Sequence, residues 1–369
     1  MTETELSIRD KLIKQDKWLL VVVCILIIIG IITIFSAESG FSGRGATYAR
    51  RQFVAALVSI AVFLTVITVG CEKIFEAAYF IYFLLIFLLL LTILFAPKSM
   101  GSQRWLTLAG LSIQPSEYAK IAISLGLSKY LSRNPPLTIK SYLGVFLFAS
   151  PVIILVFMQP DLGSTMVFIA ITLSAVFIAG APKRYVFGTM AFFISFIPIG
   201  WQFLKEYQKN RLLVFFDPAI DPLGAGYNAI QSRIAVGSGG VWGKGYLEGM
   251  QSKLRFLPEA RTDFIFSVFS EEFGFVGSLV VLSLFCFLFL RILQAGIKSR
   301  DIRSKVLVTC VCAWIWFQMF ESIGMSMGLL PVTGLPLPLF SYGGSSMVSI
   351  LTALGLVSSI HSSNLKFYK

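Results

Sequence analysis

Charged side chains are scarce in this sequence. Only 14% of its 369 residues are Asp, Glu, Lys or Arg while 56% are hydrophobic, and so little polar surface excludes a water-soluble domain of this size. Histidine is scarcer still, represented by His361 alone. That removes His-based acid–base chemistry and His zinc sets from any site His361 does not reach. The five cysteines, Cys24, Cys71, Cys286, Cys310 and Cys312, fall inside or at the edge of apolar runs. Such placement predicts small buried hydrophobes and no disulfide framework.

What is abundant is apolar sequence, in runs of about 17 to 25 residues that suit a bilayer crossing. About ten are legible by length and patterning, over residues 19–36, 53–71, 75–96, 116–130, 142–158, 163–180, 185–204, 263–290, 306–328 and 345–361, the fourth being short. The expected fold class is therefore an all-α polytopic membrane protein. The first run lacks a small-residue cleavage motif after it and is expected to stay as an anchor. Basic residues concentrate in one set of loops: Arg9 to Lys17, Lys73, Lys129 to Lys140, Lys183 and Arg184, Arg291 to Lys305, and Lys366 with Lys369. Positive segments stay in the cytoplasm, so both termini are expected there. The chain then reads as one transmembrane domain over 1–369, with a cytoplasmic amino end at 1–18, a cytoplasmic tail at 362–369, and one long extracytoplasmic loop at 205–262 between helices 7 and 8. The net charge of +12 divides into an inner collar matching anionic membrane lipid and a basic outer loop, a location that argues against nucleic acid as a partner.

His361 falls at the cytoplasmic end of the last run, so outward-facing proton transfer must use carboxylates, and any metal there would need oxygen ligands. Asp263 stands where the long outer loop meets the eighth run, a position that makes it either a helix cap or the centre of a site. Other outer segments carry matched punctuation: Gln103-Arg104-Trp105, then Gln114-Pro-Ser-Glu117-Tyr-Ala-Lys120, then Gln159-Pro-Asp161. Proline with nearby Ser, Asp or Glu opens a helix, and the last run opens outward too, at Ser345 and Ser346. Convergent helix amino ends beside cations suit a phosphate or pyrophosphate, the alternative being capping alone. Glu117 and Lys120 share a helix face at i, i+3, as an internal strut more readily than a catalytic couple. Glu271, Glu272 and Glu321 lie deep in apolar runs and are expected to point into the bundle. In the long loop, Tyr227, Ile230 and Ile234 predict an amphipathic helix on the membrane surface. Gly243-Lys244-Gly245 lacks the Ser or Thr and the upstream glycine of a phosphate loop, so a nucleotide hydrolase is rejected.

These segments in this order resemble the SEDS family (shape, elongation, division and sporulation). The resemblance rests on Gly101-Ser-Gln-Arg-Trp105, Gln114 to Lys120, Gln159-Pro-Asp-Leu-Gly163, Gly226 to Ser232, Gly237 to Gly240, Leu257-Pro-Glu259, Thr262 to Phe266 with Glu271-Glu-Phe-Gly274, and Gly334 to Pro338 with Ser341 to Ser346. The short amino end and compact length are more similar to the elongation members than to the division members. The resemblance implies a peptidoglycan glycosyltransferase that polymerises lipid II on the outer face of the bacterial inner membrane during elongation and shape maintenance, with a class B penicillin-binding protein and elongation-machinery membrane proteins as partners. It implies that Asp263 is the essential aspartate, that Gln103, Arg104 and Trp105 lie near the substrate, and that Glu117 and Lys120 form a buried pair; Asp161, Glu271, Glu272 and Glu321 are expected, from their places in the sequence, as supporting polar groups. Two departures stand out: Arg261 replaces a common histidine, and Glu321-Ser322 replaces an apolar-Asn pair. For a leaving pyrophosphate, the expected binders are Arg104, Lys244, Lys253, Arg255, Arg261, Ser345 and Ser346, or a divalent cation, magnesium or manganese. The alternatives are a lipid II flippase and a non-catalytic morphogenetic scaffold.

Overall fold

The computed structural model describes residues 13–39, 44–96, 104–108, 111–221 and 224–364. Its α-helices in chain order are α1 (Lys17–Ser39), α2 (Gly45–Val69), α3 (Cys71–Glu76), α4 (Ala78–Phe95), α5 (Pro115–Arg133), α6 (Ile139–Met158), α7 (Leu162–Ile178), α8 (Lys183–Phe203), α9 (Glu206–Phe216), α10 (Ala225–Ser238), α11 (Met250–Lys253), α12 (Ile265–Ile297), α13 (Ile302–Ser326) and α14 (Gly344–Asn364). Helices occupy all of the apolar runs, because a helix satisfies its own backbone where water cannot. Among the described residues seven helices, α1, α2, α4, α6, α12, α13 and α14, are long and apolar enough to cross a membrane, and α7 is apolar but shorter. Local chemistry sets the ends. Pro115 opens α5, a Thr138–Ser141 capping box opens α6, and the Asp161 carboxylate accepts from the Ser164 amide to open α7.

The interior is built around α5, α13 and α14. α14 packs along α2, α13 against α7 and α5, and α12 against α13 and α1. α5 is too polar to face lipid and is enclosed instead, burying Ser116, Glu117, Lys120, Ser124 and Ser128. α8 lies at the periphery: it buries no side chain among the described residues and leans mainly on α7.

Three expectations are corrected. A small antiparallel hairpin, β1 (Leu106–Leu108) with β2 (Leu111–Ile113), interrupts the all-α plan just before α5. Cys24 and Cys286 are exposed on the outer surfaces of their helices rather than buried, whereas Cys71, Cys310 and Cys312 are enclosed. The eighth run begins its helix at Ile265, two residues after Asp263. The helix expected over Tyr227, Ile230 and Ile234 is present as α10, which turns its small residues inward: Ala229, Ser232 and Ala235 are buried while Ile230 and Ile234 are exposed. Small side chains let α10 approach α12 closely, and the Ser232 hydroxyl meets that of Ser267 at 2.7 Å. The apolar stripe is left facing outward, as an interfacial helix requires.

α12 is broken at Gly274, where φ is 65° and ψ is −162°. The freed backbone groups pair with the loop after α10. Phe275 and Val276 amides donate to the Gly240 and Val241 carbonyls at 2.9 and 3.1 Å, and the Glu271 and Glu272 carbonyls accept from Lys244 and Gly245, both at 3.0 Å. A Cβ on Gly274 would lie 2.6 Å from the Val241 carbonyl oxygen, so only glycine fits. The Gly243-Lys244-Gly245 sequence thus seats a loop on a broken helix.

Candidate active site

The turn before α12 is anchored by buried Leu257, Ala260 and Phe264, which leave Arg261, Thr262 and Asp263 only partly covered. A second turn clamps it: the Ser341 hydroxyl donates to the Thr262 carbonyl at 2.7 Å, and the Tyr342 amide to the Arg261 carbonyl at 2.9 Å. The N-cap of α12 is Phe264, with no side-chain cap. Asp263 is therefore not a helix cap.

Its surroundings are polar and crowded. A Cβ on Gly334 would lie 3.2 Å from Asp263 Oδ2 and 3.8 Å from Arg211 Nη1, so the carboxylate and this guanidinium converge on the same glycine. Burial and the neighbouring Glu259 carboxylate raise the Asp263 pKa from its ordinary 3.8, against the pull of Arg211, Thr262 and Arg104. A carboxylate so placed is a stronger base than a solvated one.

Arg211 comes from α9, where it stacks over Tyr207 with 5.9 Å to the ring centroid and donates to the Val332 and Thr333 carbonyls at 3.3 and 3.2 Å. The Tyr207 hydroxyl donates to the Pro160 carbonyl at 2.7 Å, and the Arg104 guanidinium reaches the same oxygen. Arg104 also sits 3.7 Å from the Asp161 carboxylate that caps α7. Between these elements lies a cavity of about 130 Å³ whose polar wall includes Arg104, Gln208, Arg211 and Thr333 and whose apolar wall includes Leu162, Met166, Leu204 and Leu212. Two guanidiniums beside an apolar chamber, with a carboxylate behind one of them, fit an anionic headgroup carrying a hydrocarbon tail.

The family model of the FtsW/RodA/SpoVE cell cycle proteins matches residues 16–366. The chain belongs to this family. It is 38% identical over 353 residues to the peptidoglycan glycosyltransferase MrdB of Escherichia coli K12, covering 94% of this chain and 93% of that protein. With the peptidoglycan glycosyltransferase RodA of Treponema pallidum the identity is 32%, covering 95% and 98% respectively. Among solved structures, a chain from a study of how a peptidoglycan synthase complex coordinates polymerization and crosslinking superposes with a TM-score of 0.82 at 29% identity, covering 95% of this chain and 98% of that one. The rod shape determining protein RodA of Thermus thermophilus superposes with a TM-score of 0.71 at 27% identity, covering 94% and 96%.

In this FtsW/RodA/SpoVE member the other predicted site residues divide sharply. Glu117 and Lys120 form the expected pair at 2.6 Å with side chains 2% and 0% exposed. Lys244 is bound to Glu271 at 2.6 Å, and Glu271 also accepts from the Met250 and Gln251 amides. Glu272 is buried and accepts from Ser36. Lys253 pairs with Glu248 at 3.2 Å on the surface. Arg261 pairs with Glu38 at 2.6 Å and stacks over Tyr48 at 4.3 Å, so its charge is matched away from the cavity. Arg255 is exposed and does not line the cavity, and Trp105 is exposed at 43% beside Arg104. The Ser345 hydroxyl accepts from the Gln114 amide at 3.3 Å, joining the starts of α14 and α5, and neither Ser345 nor Ser346 lines the cavity. Gln103 lies outside the described residues. Among the described residues no group of three or more His, Cys, Asp or Glu side chains is placed to hold a metal.

Of the proposed cations, then, Arg104 alone reaches the cavity, and the reading from sequence missed Arg211. The available signal was Tyr207 and Arg211 at i, i+4 in the segment opening the long loop, a spacing that puts an aromatic ring under a cation.

Proposed function

We propose that the protein is a peptidoglycan glycosyltransferase that polymerises lipid II on the outer face of the bacterial inner membrane during elongation. The observation that carries the reading is Asp263: partly exposed, not spent as a cap, made more basic by burial, and converging with Arg211. The ionised Asp263 carboxylate takes the proton of the acceptor sugar 4-hydroxyl as that oxygen attacks the donor anomeric carbon. The bond from that carbon to the pyrophosphate oxygen breaks, and undecaprenyl pyrophosphate leaves with the electron pair. Arg104 and Arg211 neutralise the departing charge, and the apolar cavity wall accommodates the first part of the prenyl tail. A general base of this kind contributes about a hundredfold to ten-thousandfold. Asp263 and Glu259 are the carboxylates that would hold a magnesium or manganese ion, which would supply positive charge for the leaving pyrophosphate.

In this reading the chain crosses the membrane ten times with both termini in the cytoplasm, and the loop over 205–262 faces outward with Asp263. Its partner is a class B penicillin-binding protein, which crosslinks the strands made here, within a set of elongation-machinery membrane proteins. The test is to purify the protein with its cognate class B penicillin-binding protein, supply lipid II, and compare wild type with Asp263→Asn. Loss of glycan strands with folding, partner binding and lipid movement intact supports the transferase. Full polymerisation by the variant would sink it.

A further inference from the structure

The strap over residues 331–334 connects the two halves of the site. Pro331, Val332 and Thr333 line the cavity, while Gly334 lies against Asp263. Two charged side chains hold the strap. Arg211 holds the carbonyls of Val332 and Thr333, and Glu321 of α13 accepts the Thr333 hydroxyl through Oε1. Glu321 is 4% exposed, its Oε2 has no hydrogen-bond partner among the described residues, and the charges of Asp263 and Arg211 both act on it. A buried carboxyl is a costly way to hold a single residue, Thr333, which it engages through both hydroxyl and backbone. Leu or Val at 321 would pack more cheaply, so the cost points to a use. Gly163, at the start of α7, closes the third side: a Cβ there would come within 3.2 Å of the Thr333 hydroxyl oxygen.

We propose that Glu321 is a positioning residue of the glycosyl transfer, fixing through Thr333 the strap that sets Arg211 and Asp263 relative to each other. The inference rests on the transferase reading. Glu321 does not touch substrate. It holds the segment whose one face meets the leaving group and whose other face backs the base. A displacement of about 1 Å at such a point costs on the order of a hundredfold in turnover.

The experiment uses the full-length protein with its penicillin-binding partner and lipid II. Thr333→Val removes the donor, Thr333→Ser restores it, and Glu321→Gln keeps an acceptor oxygen while Glu321→Leu does not. The expected result is that Thr333→Val and Glu321→Leu lower kcat on the order of a hundredfold at little change in KM and no loss of melting temperature, while Thr333→Ser and Glu321→Gln recover most of it. Wild-type kcat in Thr333→Val overturns the proposal. So does a loss confined to KM, or one that follows the melting temperature and is shared by Thr333→Ser. Wild type and Asp263→Asn run alongside: an inactive wild type, or an active Asp263→Asn, refutes the transferase reading instead, so the two failures are distinguishable.

Discussion

The Glu117–Lys120 pair offers the sharpest energetic prediction. Its charges lie 2.6 Å apart with side chains 2% and 0% exposed. At an effective dielectric of about 20, two charges about 3 Å apart attract by roughly 5–6 kcal/mol, and desolvation costs several kcal/mol per ion, so the pair as a whole is near balance. Its halves are not. Lys120→Met leaves Glu117 with one weak remaining donor, the Ser349 hydroxyl at 3.3 Å, and is expected to cost about 3–5 kcal/mol. Glu117→Gln leaves an ammonium that still faces the Trp314 ring at 5.3 Å, so its cost belongs at the lower end, eased by a cation–π contact of about 0.5–2 kcal/mol. The double variant Glu117→Gln/Lys120→Met strands no charge and should recover most of the loss. Thermal melting of the purified protein, followed by tryptophan fluorescence, reads all four corners of the cycle. Additive losses, or single variants that melt with the wild type, would refute the reasoning. Normal melting without turnover would make the pair catalytic rather than structural.

Asp263→Asn should abolish polymerisation yet raise the melting temperature at neutral pH. The folded pKa of Asp263 lies above its ordinary 3.8, so the stability it contributes is fully present below that value and is lost as pH rises through the folded pKa. The stabilisation by Asn should fade on acidification. For the same reason wild-type polymerisation should rise with pH along an acidic limb displaced upward from an ordinary carboxylate, which a pH–rate profile reads. Gly274→Ala should cost more than about 1 kcal/mol, because the positive φ and the Val241 carbonyl both oppose a Cβ; wild-type melting would show that the loop can yield. Lys244→Met should cost about 1–3 kcal/mol, since Glu271 keeps two backbone donors, and should leave kcat unchanged. A turnover defect there would return Lys244 to the pyrophosphate site.

The helices were legible because their signal is local: about twenty apolar residues in succession have few alternatives to a helix. The Glu117–Lys120 pair was legible for a related reason, since i, i+3 spacing on one helix guarantees proximity. The cations were not. Lys244, Lys253 and Arg261 share the long loop with Arg211, and what separates them is a direct ion pair: each of the first three is bonded to a carboxylate, whereas Arg211 donates to the Val332 and Thr333 carbonyls on the cavity wall. Glu271, Glu248 and Glu38 answer the first three. Glu38 is 223 residues away from Arg261 in sequence, a separation that no spacing rule reaches.

By itself, the sequence determined a helical membrane protein with its scarce carboxylates kept out of lipid, and a resemblance that singled out Asp263. Tertiary structure decided that Asp263 is not a cap, that Gly274 breaks its helix to seat a loop, and that Arg211 and Arg104 face the cavity. The physical reason is range. Hydrophobic length and helical period are properties of neighbouring residues, whereas a charge is free or matched according to what the fold brings within a few ångströms of it.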